Sequence, residues 1–217
     1  MGFAPPVTER LTGKADYPAP LVLQIHALAF CGWLLLLTVQ VGLVRTRRMA
    51  IHMSLGLISL ALIPVMAVTA FVSEVYSQRF YLDHPPDSQA FFILPIFYVI
   101  AFTGLAASAV YFRKEPSAHK RLILLATTVI VGAAYTRWIG EPLAELVGDG
   151  YVGMLINSYT ATNLILLGAV CYDLATRRQI HWAYRVGVPA IVAGEIVTTL
   201  IYHSPSWIPV ARVLVGR

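Results

Sequence analysis

His26, Trp33 and Gln40 recur every seven residues, with Phe30 and Leu37 between them at helical spacing, so all five share one face of a helix. An imidazole, an indole and an amide on a face turned into a bundle either join helices by hydrogen bonds or touch a cofactor or substrate. His52, His119 and His181 each stand within one turn of a helix start, at joints of the same kind and at one level. Imidazole is a good ligand for haem iron, zinc, copper and non-haem iron, and three of them around an open position make a catalytic metal site. Asp173 is a carboxylate partner for such a triad, although closely spaced boxes of the HxxxH or HxxHH kind are missing from the chain.

A second arrangement divides the histidines by depth. His26 and His203 belong to one level, and His52 and His119 to the opposite one, with His181 as a further candidate there. Haem b held by two imidazoles needs its ligands on different helices at one depth between apolar walls, with an arginine nearby to pair with a propionate. Arg137 stands at the level of His26 and His203, where Glu141 one turn on is its alternative partner. Glu195 lies about eleven residues into the last apolar run, where an ionised carboxylate is costly and must be neutralised or paired. It reads as a proton-relay or substrate-binding group, with Trp33 and Gln40 as further contacts. The alternative is a polar clasp between helices, closed by Asn157, Asn163, Thr198 and Thr199. His84, in a proline-bearing loop, reads as a surface residue.

The elements that must position these groups are apolar runs. The chain of 217 residues is 58% hydrophobic and only 12% charged, against roughly 25% charged residues in a soluble domain. Runs at about 20–44, 51–73, 90–112, 121–140, 151–175 and 184–203 each approach the ~20 residues that cross the hydrocarbon core as a helix. The expected fold is therefore all-α, an integral membrane bundle of six transmembrane helices. None of the runs is followed by a small-residue cleavage site, so the first is kept as a span. Residues 1–19 read as an outer arm, 20–203 as the transmembrane domain, and 204–217 as an interfacial tail anchored by Trp207.

The net charge of +5 alone would admit a nucleic-acid partner, but Arg45, Arg47, Arg48, Arg113, Lys114, Lys120, Arg121, Arg177, Arg178 and Arg185 all flank alternate joints. The opposite ends carry Glu74, Asp83, Asp87, Glu141, Glu145 and Asp149 against Arg79 and Arg137 alone. Basic residues in short loops set membrane orientation, so the expectation is three hairpins turning in the cytoplasm, both termini outside, a lipid partner and no nucleic acid. Cys31 and Cys171 lie within runs and outside any CxxC or CxxCH pattern, and read as small buried hydrophobes. No lysine lies inside a run, which argues against a Schiff base.

The segments "IHALAFCGWLLLLTVQVGLVRTRRMAIHMSLG" and "RKEPSAHKRLILLAT", followed at a distance by Arg137, resemble an uncharacterised family of small polytopic bacterial inner-membrane proteins. The resemblance covers roughly half the chain, through its H…W…Q…H and HKRL elements, and departs at Met53, where the family usually has a basic residue. It implies a bacterial inner-membrane location, and recurring polar positions at His26, Trp33, Gln40, His52, His119 and Arg137. It implies no activity. The first functional reading is a haem b protein in electron transfer, with a quinone or a larger complex as partner. A cofactor-free scaffold subunit or small transporter is the alternative, and a metal-dependent membrane enzyme built on His52, His119 and His181 is the second alternative.

Overall fold

The computed structural model describes residues 4–15, 19–80 and 86–216. His84, with the rest of 81–85, lies outside the described residues, as do the side chains of Asp87 and Glu141. In chain order the helices are α1 (Ala4–Leu11), α2 (Leu21–Arg45), α3 (Met49–Gly56), α4 (Ile58–Phe80), α5 (Ile93–Tyr111), α6 (Pro116–Tyr135), α7 (Glu141–Val147), α8 (Tyr151–Arg177), α9 (Trp182–Tyr202) and α10 (Trp207–Leu214). No strand occurs among the described residues. Among the described residues six helical stretches are long and apolar enough to cross a membrane, the second being α3 and α4 together. Lipid offers no hydrogen bonds, so only segments that satisfy their own backbone can lie in it. The protein is accordingly a multi-pass membrane bundle.

Joints α2–α3, α5–α6 and α8–α9 gather at what is here called the basic end, and the other end is the acidic end. α2 packs on α4, α4 on α5, and α5 on both α6 and α9, while α6 and α9 each pack on α8. α6 is thus central, with 44% of its apolar stretch enclosed, whereas α2 lies at an edge with 11%. The main core joins Leu94, Tyr98, Leu122, Leu125, Val129, Tyr159, Leu166 and Ile191 from α5, α6, α8 and α9.

Local departures from regular helix have visible causes. The second span breaks at Leu57, where Gln40 reaches across from α2 and its Nε2 donates to the His52 carbonyl at 3.1 Å. Gly56 provides the room, since a Cβ there would stand 3.3 Å from that nitrogen. α6 begins at Pro116, five residues before the apolar run, because proline suits a helix's first turn. At its far end the helix widens into a π turn over Thr136–Gly140, next to Pro142, which has no N–H to offer the preceding turn.

At the acidic end α10 docks on the 3-10 turn Pro86–Phe92. Trp207 Nε1 donates to the Ala90 carbonyl at 3.2 Å, Ala211 and Val215 bury against Phe92, and Arg79 Nε donates to the Val215 carbonyl. Cys31 and Cys171 are free and exposed on the outside of the bundle, not buried as the sequence suggested. Lipid tails are as apolar as a protein core, so a small apolar residue in a span fits either place.

Candidate functional site: a polar cluster within the bundle

α5, α6, α8 and α9 enclose a set of polar side chains. Glu195 on α9 is 2% exposed, and lies seven residues from Tyr202, or about 10 Å at ~1.5 Å per residue. That places it nearer the acidic end. Its Oε2 accepts a 2.8 Å hydrogen bond from Asn163 Nδ2 on α8, while its Oε1 is buried without a partner. The hydroxyls of Tyr98 on α5 and of Tyr159 and Thr162 on α8 are likewise buried and unpartnered, as is Asn157 Oδ1.

Close packing brings these groups together. The Tyr98 and Tyr159 rings meet edge to face with centroids 6.4 Å apart, and Phe97 meets Tyr159 in the same manner at 6.3 Å. Gly132 on α6 lets α5 and α8 approach, for a Cβ there would stand 3.1 Å from Thr162 Oγ1 and 3.2 Å from the Tyr98 hydroxyl. The Tyr98 hydroxyl lies toward Thr136 and the Tyr159 hydroxyl toward Thr198 and Thr199, without closing a hydrogen bond to any of them. Buried polar atoms are nearly always bonded in native proteins. Glu195 Oε1 and the three hydroxyls form a group of buried polar atoms with no protein partner, and Asn157 Oδ1 adds another farther along α8 toward the acidic end.

A second cluster lies at the basic end and is fully closed. Arg121 on α6 grips Asp173 on α8 in a two-pronged pair: Nε donates to Oδ2 at 2.8 Å, and Nη2 donates to Oδ1. Their side chains are 3% and 2% exposed. Arg121 Nη1 also donates to the Ser117 carbonyl at 2.7 Å, and the guanidinium lies over the Tyr184 ring on α9. Asp173 Oδ2 accepts the His181 backbone N–H at 3.2 Å. His181 caps α9, its Nδ1 accepting from the Ala183 N–H at 3.2 Å, which leaves the Nε2 proton for Ser117 Oγ at 3.1 Å. Burial, with the Arg121 charge beside it, holds this imidazole below the usual histidine range.

The histidines singled out in the sequence are not gathered. Thr69 Oγ1 gives its proton to the Val65 carbonyl and so accepts from His26 Nδ1 at 3.2 Å, tying α2 to α4. His203 sits on the far side of the bundle, with Nδ1 2.9 Å from the Thr199 carbonyl, Nε2 3.0 Å from the Asp149 carbonyl, and its ring stacked on Tyr151. Both His203 nitrogens thus face carbonyl oxygens while His26 is bonded to Thr69, and the structure gives the two histidines no shared partner. Arg137 Nη1 donates to the Ala133 carbonyl at 3.0 Å, and its charge is felt at Glu74 and Tyr98.

His119 Nδ1 donates to the Ala109 carbonyl at 2.8 Å and clasps the α5–α6 hairpin, whereas His52 Nδ1 is buried without a partner. Among the described residues no group of three or more His, Cys, Asp or Glu side chains could hold a metal ion, so His52, His119 and His181 do not form a triad. Trp33 is an anchor, its Nε1 donating to Thr127 Oγ1 on α6 at 3.1 Å and its ring set edge-on to Phe102 with centroids 5.0 Å apart. The sequence reading missed Tyr98, Tyr159 and Thr162, and took Arg121 for a topology signal. For Arg121 the clue was Asp173, an acid at an otherwise basic joint.

Fold and cluster together define a multi-pass membrane bundle with a carboxyl-centred polar interior. No family model matches the chain, and comparison with curated proteins and with solved structures finds no match either.

Proposed function

We propose that the protein is a small membrane carrier that exchanges protons at Glu195 as a polar solute or the proton itself passes through the bundle. The observation that supports this reading is the Glu195 carboxyl, held on one oxygen by Asn163 and open on the other among unpartnered hydroxyls. Ionisable groups inside membrane bundles mark proton relays and substrate paths, because their cost is otherwise hard to sustain.

The test is proton flux in liposomes containing the purified protein and a trapped pH-sensitive dye, under an imposed pH gradient. Wild-type protein is expected to carry flux above that of empty vesicles. Glu195→Gln, which keeps the shape and the bond from Asn163, is expected to stay monodisperse and lose that flux. Equal flux from the two proteins would overturn the reading.

The ten basic residues at one end support an orientation with that end in the cytoplasm and both termini outside, in a bacterial inner membrane. A cysteine placed at Arg47, in a background without the native cysteines, is expected to resist impermeant labels applied from the periplasm.

A further inference from the structure

We infer that the Arg121–Asp173 pair is the gate that closes the Glu195 cluster toward the basic end, which leaves the acidic end as the side of entry in this structure. The inference rests on the carrier reading and adds the side of access and the device that controls it.

The two clusters share their helices. α6, α8 and α9 supply Gly132, Thr162, Asn163 and Glu195 to the interior cluster, and the same helices supply Arg121, Asp173 and the capped start at His181 to the basic end. A bidentate, buried ion pair joining α6 to α8, with α9 hung on the same carboxylate through the His181 N–H, draws all three helices together there. Arg121 and Asp173 stand ten to eleven residues along their helices from Gly132 and Asn163, with Leu125, Val129, Leu166 and Ile191 packed between, so the pair acts on the cluster by holding those helices together.

The acidic end is held differently. There α8 and α9 meet through the His203–Asp149 carbonyl bond and the Tyr151 stack. α6 ends in a π turn in place of a locked helix start, and π turns are frequent at functional sites. Glu195 is also the nearer to that end. An ion pair is suited to a gate because it has two discrete arrangements, closed when paired and open when each ion is hydrated.

The experiment uses the full chain with Cys31→Ser and Cys171→Ser and one reporter, Thr162→Cys, in sealed vesicles of both orientations, labelled with a charged, impermeant methanethiosulfonate. The reporter is expected to react faster from the acidic end than from the basic end. Adding Asp173→Asn is expected to raise the basic-end rate about tenfold or more, since a buried pair with one partner removed cannot hold its closed state. A faster basic-end reaction in the parent, or no rise with Asp173→Asn, would overturn the inference.

Should Asp173→Asn fail to fold, the apolar replacement Arg121→Met with Asp173→Leu decides. It is expected to keep the basic end shut and abolish proton flux, because the closure can no longer hydrate and open; retained flux would make the pair a static clasp. Glu195-dependent flux that is missing from wild type, with the labelling pattern intact, would count against the carrier reading and leave the closure standing.

Discussion

Replacing Asp173 by asparagine removes one charge from a pair that is almost wholly buried. The carboxylate takes two hydrogen bonds from Arg121 and one from the His181 N–H. Charge-assisted bonds contribute ~1.5–3 kcal/mol each, and breaking a buried pair from one side costs about 3–5 kcal/mol, because the guanidinium is left buried and uncompensated. For a chain of this size each kcal/mol moves the midpoint by ~2–4 °C, so a drop of about 6–20 °C is expected. The assay is the fraction remaining monodisperse by fluorescence-detected size exclusion after heating in detergent. The same measurement on Arg121→Met and on the Arg121→Met, Asp173→Leu double variant completes a cycle. The double variant leaves the His181 N–H without its acceptor, a loss of ~1–3 kcal/mol, and is expected to be less destabilised than either single variant. A coupling of about 2 kcal/mol or more should result. Additive losses, or a drop under ~2 °C for Asp173→Asn, would refute the claim that the two charges compensate each other.

His181 binds protons less readily in the folded protein than in the unfolded chain. The unfolded state therefore takes up more protons as pH falls through about 6.5, and stability is lost from there downward while remaining complete above it. Asparagine also caps helices, so His181→Asn should flatten the difference in heat tolerance between pH 8 and pH 5.5, and an unchanged difference would count against this role. Trp33→Phe keeps the ring contact with Phe102 but loses the bond to Thr127, leaving its hydroxyl stranded. A loss of ~1–3 kcal/mol is expected, with proton flux per folded molecule unchanged; flux lost without any change in stability would return Trp33 to the transport path. Haemin added to purified protein should give no b-type Soret band that depends on both His26 and His203, and a band abolished by either His→Ala change would restore the haem reading.

The helices were legible because lipid imposes one rule on every span, about twenty apolar residues with all backbone groups satisfied internally. The boundaries were not, and two differences are instructive. α6 starts at Pro116 within a polar joint, since Arg121 and His119 turn inward to Asp173 and the Ala109 carbonyl. Hydropathy counts these residues as loop because it cannot see partners. α3 and α4 break at Leu57 because Gln40, from another helix, bonds into the turn. Glu195 and Asn163 stood out as polar residues in apolar runs, whereas Tyr98, Tyr159 and Thr162 carry their hydroxyls on residues that ordinarily pack in bundles. The histidines misled for the opposite reason. Shared depth is visible in a sequence, but neighbourhood in the membrane plane is set by which helices pack together.

The contrast between the two clusters separates structural polarity from functional polarity in this bundle. Within the Arg121 cluster each group is matched: Arg121 with Asp173 and the Ser117 carbonyl, Asp173 also with the His181 N–H, and His181 with Ala183 and Ser117. Inside, α5, α8 and α9 leave Glu195 Oε1, Asn157 Oδ1 and the hydroxyls of Tyr98, Tyr159 and Thr162 without partners. Each such group costs on the order of 1–3 kcal/mol when buried and unpaired. A clasp that served only to join α8 to α9 would gain by closing those bonds, as the basic-end cluster does with similar residue types. Leaving them open is sustainable where something else makes the bonds part of the time, and an exchangeable proton with its water is the smallest occupant that suits a carboxyl among hydroxyls.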